Sequence, residues 1–443
     1  MEKNIDFKIT TGTLLRFSLP VIFGVIFENI YGLVDSLFVA NLVGVDALSA
    51  VNIVSPSLSI TLAIAIMIAT GGCAIVAAQM GEGDMKGARE RFTFFVLFAF
   101  GISLTLSLIG LVFRNPLIHM MGADDALYPL CESYAIPVFI VIPFAMIGMM
   151  LQLFYAASGV PSLGFALSVA GGVTNIVLDY VLIKTADMGV AGAAWATGIG
   201  YSIQSIVGVI YFLSNRKGTL YFTKSKWDGK ALLKACGNGM SEMVGSLAVS
   251  VTMIAMNVIL MKHAGSDGVA AGAIVLAAQI ILSSFYMGYL QGISPVISFH
   301  FGAKNTDNLK KLYKSALITI GGMSVITFIL AFPIANPLAR IYAEEAENVM
   351  NMAVQGIRIY AFAFLIMGFN LFGSSFFTAL NDGKTSAILA VCRTLVFLII
   401  PLLILPLLFE VNGVWLSLPV AEMLSLLATT KFFALNRQKY NYA

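Results

Sequence analysis

Apolar runs of about 20 residues or more follow one another along nearly the whole chain, and they leave it few possible folds. Twelve such segments are read at 13–41, 46–80, 92–113, 128–155, 163–184, 191–214, 235–262, 268–301, 315–336, 348–379, 387–408 and 414–436. A bilayer core about 30 Å deep is crossed by a helix of about 20 residues. Lipid offers backbone amides no partner, so each span must satisfy its own hydrogen bonds as a helix. A lipid-spanning barrel would instead alternate apolar and polar residues over stretches of about 10. Composition agrees: 59% of the residues are hydrophobic and 11% charged, against roughly 25% charged in soluble domains. The first run is too long for the apolar part of a signal peptide and reads as a retained span. The expected fold is an all-α membrane protein.

The chain also repeats itself at a nearly constant offset. Asn115-Pro116-Leu117 recurs as Asn336-Pro337-Leu338. Gly71, Gly81 and Gly192 recur at the same shift as Gly292, Gly302 and Gly413, and Ala157 recurs one position further on, as Ala379. Six spans fall in each half. The expected organisation is a first lobe over 1–214, a link over 215–234 and a second lobe over 235–443. Two similar halves can enclose a cleft and rock about it.

Lysine and arginine orient the spans. Twenty lie on one side: in the N-terminal segment (Lys3, Lys8, Arg16), the loops near 86–91 and 304–314, the link, Lys384 and the tail. Four lie on the other side (Arg114, Lys184, Lys262, Arg340), and Arg358 and Arg393 fall inside spans. The positive-inside rule then places both termini and the link in the cytoplasm. A net charge of +3 gives no case for nucleic acid. The four cysteines are far apart and lack metal-ligand spacing.

Glu28, Asp35, Asp179, Glu242 and Glu422 fall within apolar spans. An acid at mid-membrane costs roughly 2.5–3.5 kcal/mol, so five need water, a partner or a cation. Glu28, Tyr31 and Asp35 are spaced i, i+3, i+7 and share one helix face. Pro20 permits a bend one to two turns earlier, either static or a moving hinge. Asn175 and Asp179 share a face of the fifth span. The small residues Gly189-Val190-Ala191-Gly192-Ala193-Ala194 allow close packing that would bring Thr197 near them. Two carboxylates, an amide oxygen and a hydroxyl suit a hard cation, a shared proton, or a purely structural network. The second half does not copy this set, so an ion site is expected in the first lobe alone. Glu242 either pairs with Arg393 or Arg358 or acts directly. Glu422 is expected to partner Arg393.

With these motifs the chain resembles the multidrug and toxic compound extrusion transporters, in their bacterial branch. The resemblance spans nearly the whole chain. It rests on Pro20 with Asn29-Ile30-Tyr31-Gly32-Leu33-Val34-Asp35, and on Asn175-Ile176-Val177-Leu178-Asp179. It rests also on Gly189 through Thr197, Gly81-Glu82-Gly83-Asp84, Phe301-Gly302-Ala303, and Gly413-Val414-Trp415 with Pro419. It implies twelve helices in two six-helix lobes around a V-shaped cleft, and cation-coupled export. It assigns the Na+ or H+ site to Asp35, Asn175, Asp179 and Thr197. His300 departs from the asparagine of many relatives.

The expected mechanism is antiport by alternating access. Ion uptake at Asp35 and Asp179 closes the first-lobe cavity, bending at Pro20, and expels substrate. Amphipathic organic cations are expected in a cleft bordered by Glu28, Tyr31, Met149, Gln152, Glu242, Tyr286, Tyr289 and Met367. No other cofactor is expected, and the chain is expected to be a monomer in a bacterial inner membrane. The alternative is a flippase for a lipid-linked substrate, but the spans hold more acids than bases. A channel would need an open polar pathway. An enzyme is not indicated: Gly383-Lys384-Thr385 mimics the end of a phosphate loop, but Thr378 replaces its first glycine.

Overall fold

The computed structural model describes residues 5–343 and 346–443; Lys3 lies outside them. Every regular element among the described residues is helical. The helices are α1 (Thr11–Leu42), α2 (Val45–Gly81), α3 (Met85–Val112), the short α4 (Arg114–Met120), α5 (Tyr128–Ala157) and α6 (Pro161–Asp179). After a π-turn, π1 (Tyr180–Thr185), come α7 (Gly189–Ser214), α8 (Gly229–Gly302), α9 (Thr306–Ala343), α10 (Glu347–Ala379) and α11 (Gly383–Val391). A second π-turn, π2 (Cys392–Val396), leads into α12 (Phe397–Tyr440). The link between α7 and α8 marks one end of the molecule, the link side.

Ten helical stretches among the described residues are long and apolar enough to cross a membrane, two of them of 74 and 58 residues. At 1.5 Å per residue the longer would run about 110 Å, far beyond a bilayer. Each is broken. The backbone leaves the helix at Gly265 (φ 61°, ψ −152°) in α8 and at Glu410 (φ 50°, ψ −129°) in α12. Both breaks fall in gaps between spans read from the sequence, so two spans lie in each stretch and the total is twelve, six to a lobe.

The repeat is written in the backbone as well as in residue identity. Gly44, Gly83, Gly159 and Gly189 take left-handed φ at the turns of the first lobe. Their counterparts in the second lobe, Gly265, Lys304, Asn381 and Glu410, do the same. Three of those four are not glycine, so the second lobe holds this conformation without the residue best suited to it.

Aromatic side chains close the link-side end of each lobe in the same repeated way. Phe92 meets Phe154, Phe212 and Phe222 at 4.8, 4.9 and 5.1 Å between ring centres. Tyr313 meets Phe376, Phe433 and Tyr442 at 5.4, 5.3 and 5.0 Å. The central ring in each cage comes from the third span of its lobe. The last ring comes from the segment after the sixth span: the link in one lobe, the chain's tail in the other. The Phe222 amide donates to the Phe212 carbonyl (3.0 Å), and the Tyr442 hydroxyl to the Phe433 carbonyl (2.6 Å).

The lobes press together on the link side through glycines. A β-carbon on Gly71 would overlap the Ala235 carbonyl, and one on Gly239 the Met67 carbonyl. One on Gly81 would overlap the Phe299 carbonyl, and one on Gly302 the Ala78 carbonyl. These small residues let backbones touch where lipid-like side chains would hold them apart. Farther from the link side, Gly32 on α1 and Gly245 on α8 have nothing within 4 Å of an added β-carbon.

Candidate functional site

Helices α1, α6 and α7 build the polar centre of the first lobe. Gly172 lies under the rings of Phe27 and Tyr31, so α1 can lie close on α6. Gly171 and Gly200 face each other so closely that a β-carbon on either would crowd the other's carbonyl, which draws α7 against α6. That contact carries Thr197 to Asn175, whose amide nitrogen donates to the Thr197 hydroxyl at 3.4 Å. Asn175 and Asp179, spaced i and i+4 on α6, are 2% and 0% exposed.

Asp35 descends from α1 to the same point. Its carboxyl lies within hydrogen-bonding reach of Asp179 and Asn175. One Asp35 oxygen, both Asp179 oxygens and the Asn175 amide oxygen are buried without a donor among the described residues. Two facing carboxylates are acceptors alone. Only a proton on one of them or a cation between them turns the contact attractive. π1 begins directly after Asp179, and π-turns recur at functional sites.

A second polar layer borders this centre. Tyr31 and Tyr201 share a hydrogen bond. Gln152 donates to Glu28 at 3.4 Å, and its own amide oxygen is buried without a donor among the described residues. Tyr134 on α5 lies within electrostatic reach of both Asp35 and Asp179. Sequence reasoning missed Tyr134 and Tyr201. Tyr201 follows Thr197 by four residues and so shares its face, a signal that was there to be read. Tyr134 carried no such mark.

The second lobe departs from expectation at its aromatic residues and meets it at Arg393. Tyr286, Tyr289 and Met367, expected along the cleft, are at most 1% exposed and packed in the core. The Tyr286 hydroxyl is spent on the Phe364 carbonyl (2.8 Å) and Thr327. Met149 is half-buried against the first-lobe core. Arg393 forms a two-pronged ion pair with Glu422, its nearest contact 2.7 Å. Arg358 is exposed and makes no ion pair among the described residues.

A sequence model of the MatE family matches the chain twice, at residues 20–181 and 243–404. The chain belongs to the MatE family. The double match reads the internal repeat a second time, one copy to each lobe. The multidrug export protein MepA of Staphylococcus aureus is 25% identical over 440 residues, covering 99% of this chain and 96% of its own length. Among solved structures, an outward-facing multidrug resistance MATE family transporter of the MOP superfamily superposes with a TM-score of 0.92 at 20% identity, covering 98% of both chains. VcmN, a MATE transporter of Vibrio cholerae, does so with a TM-score of 0.89 at 19% identity, again covering 98% of both. This MatE-family chain is therefore a multi-pass membrane transporter of two six-helix lobes about a central cleft.

Proposed function

We propose that this transporter exports small amphipathic organic compounds, cations above all, in exchange for Na+ or H+ moving inward. The observation that carries the reading is the meeting of Asp35 and Asp179 with their oxygens buried and without donors. An unsatisfied buried polar group costs roughly 1–3 kcal/mol. A cluster of four therefore favours whatever satisfies it. Na+ would be held by the two carboxylates, the Asn175 amide oxygen and the Thr197 hydroxyl, all hard ligands. A proton would be held between the carboxyls themselves.

The ion does work only if one state binds it better than the other. Neutralising the acids removes the main obstacle to packing α1 onto α6 and α7. Pro20, inside α1, deprives the helix of one hydrogen bond and serves as the hinge. Contraction of the first-lobe cavity then displaces a substrate held near Glu28, Tyr31, Met149 and Gln152. The likeness to MepA, a multidrug export protein, supports this direction of transport.

The segregation of basic residues supports a bacterial inner-membrane location with both termini and the link in the cytoplasm. The chain is proposed to work as a monomer, without catalysis. A flippase gains no support: Arg393, the half-buried base of the second lobe, is already neutralised by Glu422.

Efflux from proteoliposomes under a Na+ gradient or a proton gradient, each alone, tests the reading. Asp35→Asn and Asp179→Asn should each lose ion-driven efflux by about tenfold or more. Undiminished coupled transport in both variants overturns the site.

A further inference from the structure

Asn29 belongs to the first-span motif, but it does not share the helix face of Glu28, Tyr31 and Asp35. Its side chain leaves the first lobe. The amide nitrogen donates to the Ser284 hydroxyl of α8 at 2.8 Å and to the Val25 carbonyl at 3.1 Å. Ser284 is buried, and its own proton goes to the Ile280 carbonyl at 2.7 Å. A hydrogen bond thus runs between the lobes, from the helix that carries Asp35 to the second span of the second lobe.

Close contacts fix α1 on the link side of that bond. A β-carbon on Gly292 would overlap the Ser18 side chain, and one on Gly288 the Ile22 backbone. Ser18 and Ile22 bracket Pro20, so α1 is pinned to α8 at its proline. Beyond Asn29 the surroundings open, and an added β-carbon on Gly32 meets nothing within 4 Å. Asn29 stands nine residues past Pro20, about 13 Å along the helix. A bend of about 20° at Pro20 would carry it about 4–5 Å, which no hydrogen bond survives. The bond and the bend exclude each other.

The internal repeat sets this bond apart from the packing around it. At the 221-residue offset that relates Gly71 to Gly292, Ser18 corresponds to Gly239, and Gly71 and Gly239 also press together. Asn29 and Ser284 correspond to Ser250 and Ala63, and an alanine side chain can accept no hydrogen bond. The steric crossing is duplicated. The polar tie has no counterpart at the matching pair, and it falls on the helix that bears an ion-site carboxylate.

We propose that Asn29 and Ser284 are positioning residues for ion coupling: their bond latches α1 straight against the second lobe until the ion neutralises the first-lobe acids. The proposal rests on the export reading, since it restrains the bend which that reading places at Pro20. Release strands little, because Ser284 keeps its bond to Ile280 and Asn29 its bond to Val25. A neutral bond of this kind biases an equilibrium by about two- to tenfold. That opposes bending without the ion and is small enough for the ion to overcome.

The test follows the arm of α1 at equilibrium in the full chain, held in lipid nanodiscs. Spin labels at Leu42 and Val173, both exposed and both in the first lobe, report the bend apart from any rocking between lobes. Their distance is titrated with Na+ and, separately, with acid. Asn29→Leu and Ser284→Ala should each lower the ion concentration at the midpoint by about two- to tenfold. The double variant should match the single ones, because both changes break the same bond. Unmoved midpoints, or shifts that add, overturn the latch. Should Asn29→Leu fail to fold, the Ser284→Ala midpoint alone decides. Ion-driven efflux of tetraphenylphosphonium by the unaltered protein is measured alongside. An arm that moves with the ion while the variants keep the parent's midpoint sinks the latch and leaves the export reading intact. An arm that answers to neither ion overturns the latch together with the ion site.

Discussion

Tyr201 ties the two polar layers of the first lobe. It bonds to Tyr31 and lies within electrostatic reach of Glu28 and Asp35. Tyr201→Phe keeps the ring and its packing and removes only the hydroxyl. Ion-driven efflux should fall about three- to tenfold while thermal stability stays within about 1 kcal/mol, the usual worth of one neutral hydrogen bond. Initial efflux rates at a fixed gradient, beside thermal unfolding of the same preparation, check this. A variant as fast as the parent would detach Tyr201 from the coupling route. The acids themselves were legible, because a carboxylate in an apolar run has few innocent explanations. Tyr286, Tyr289 and Met367 were not. Their helices are apolar on every face, so periodicity cannot say which face meets a core, a cleft or lipid.

At the scale of elements the sequence spoke unevenly, and the reasons are physical. The breaks at Gly265 and Glu410 were legible because polar and charged residues interrupt the apolar runs there. π1 and π2 left no mark, since one extra residue in a turn changes neither composition nor length. The tail was read only as basic, yet it docks. Asp382, in the turn after α10, accepts from Tyr440 (2.7 Å), Lys439 (3.2 Å) and the Thr385 hydroxyl (3.0 Å). Partial burial would raise its pKa, but these bonds outweigh burial and hold the carboxyl below its ordinary value. A depressed folded-state pKa means stability that is fully present above the unfolded value of about 3.9 and is lost as pH falls below it. Tail docking should therefore be constant above about pH 5 and fail under stronger acid. Asp382→Asn keeps a competent N-cap for α11, because asparagine caps as well as aspartate. It removes only the charge that holds Lys439 and Tyr440. At neutral pH it should lower the unfolding midpoint by roughly 1–3 °C and speed carboxypeptidase trimming of the last residues. Trimming at the parent rate would show that the aromatic cage, not Asp382, holds the tail.

Across the whole molecule, two lobes built on one plan meet through glycines that the plan itself duplicates. Gly81 rests on Phe299 and Gly302 on Ala78, and the repeat makes these two glycines counterparts. The two contacts form one crossing on the link side, where a closed state must bring backbones together. An added methyl there meets a carbonyl oxygen, and neither can move aside without parting the helices. Overpacking of this kind costs roughly 1–3 kcal/mol, and it is charged only to the state closed on the link side. Gly302→Ala should thus leave each lobe folded and shift the population toward opening on that side by about ten- to a hundredfold. Spin labels at Glu82 and Lys304, both exposed beside the crossing, would report it as a lengthened distance distribution. Gly322→Ala, with nothing within 4 Å of its β-carbon, is the matched control and should leave the distribution unmoved. If Gly302→Ala also leaves it unmoved, the glycine crossing does not set the balance between states. On the proposed mechanism, that balance would then rest with the first-lobe acids.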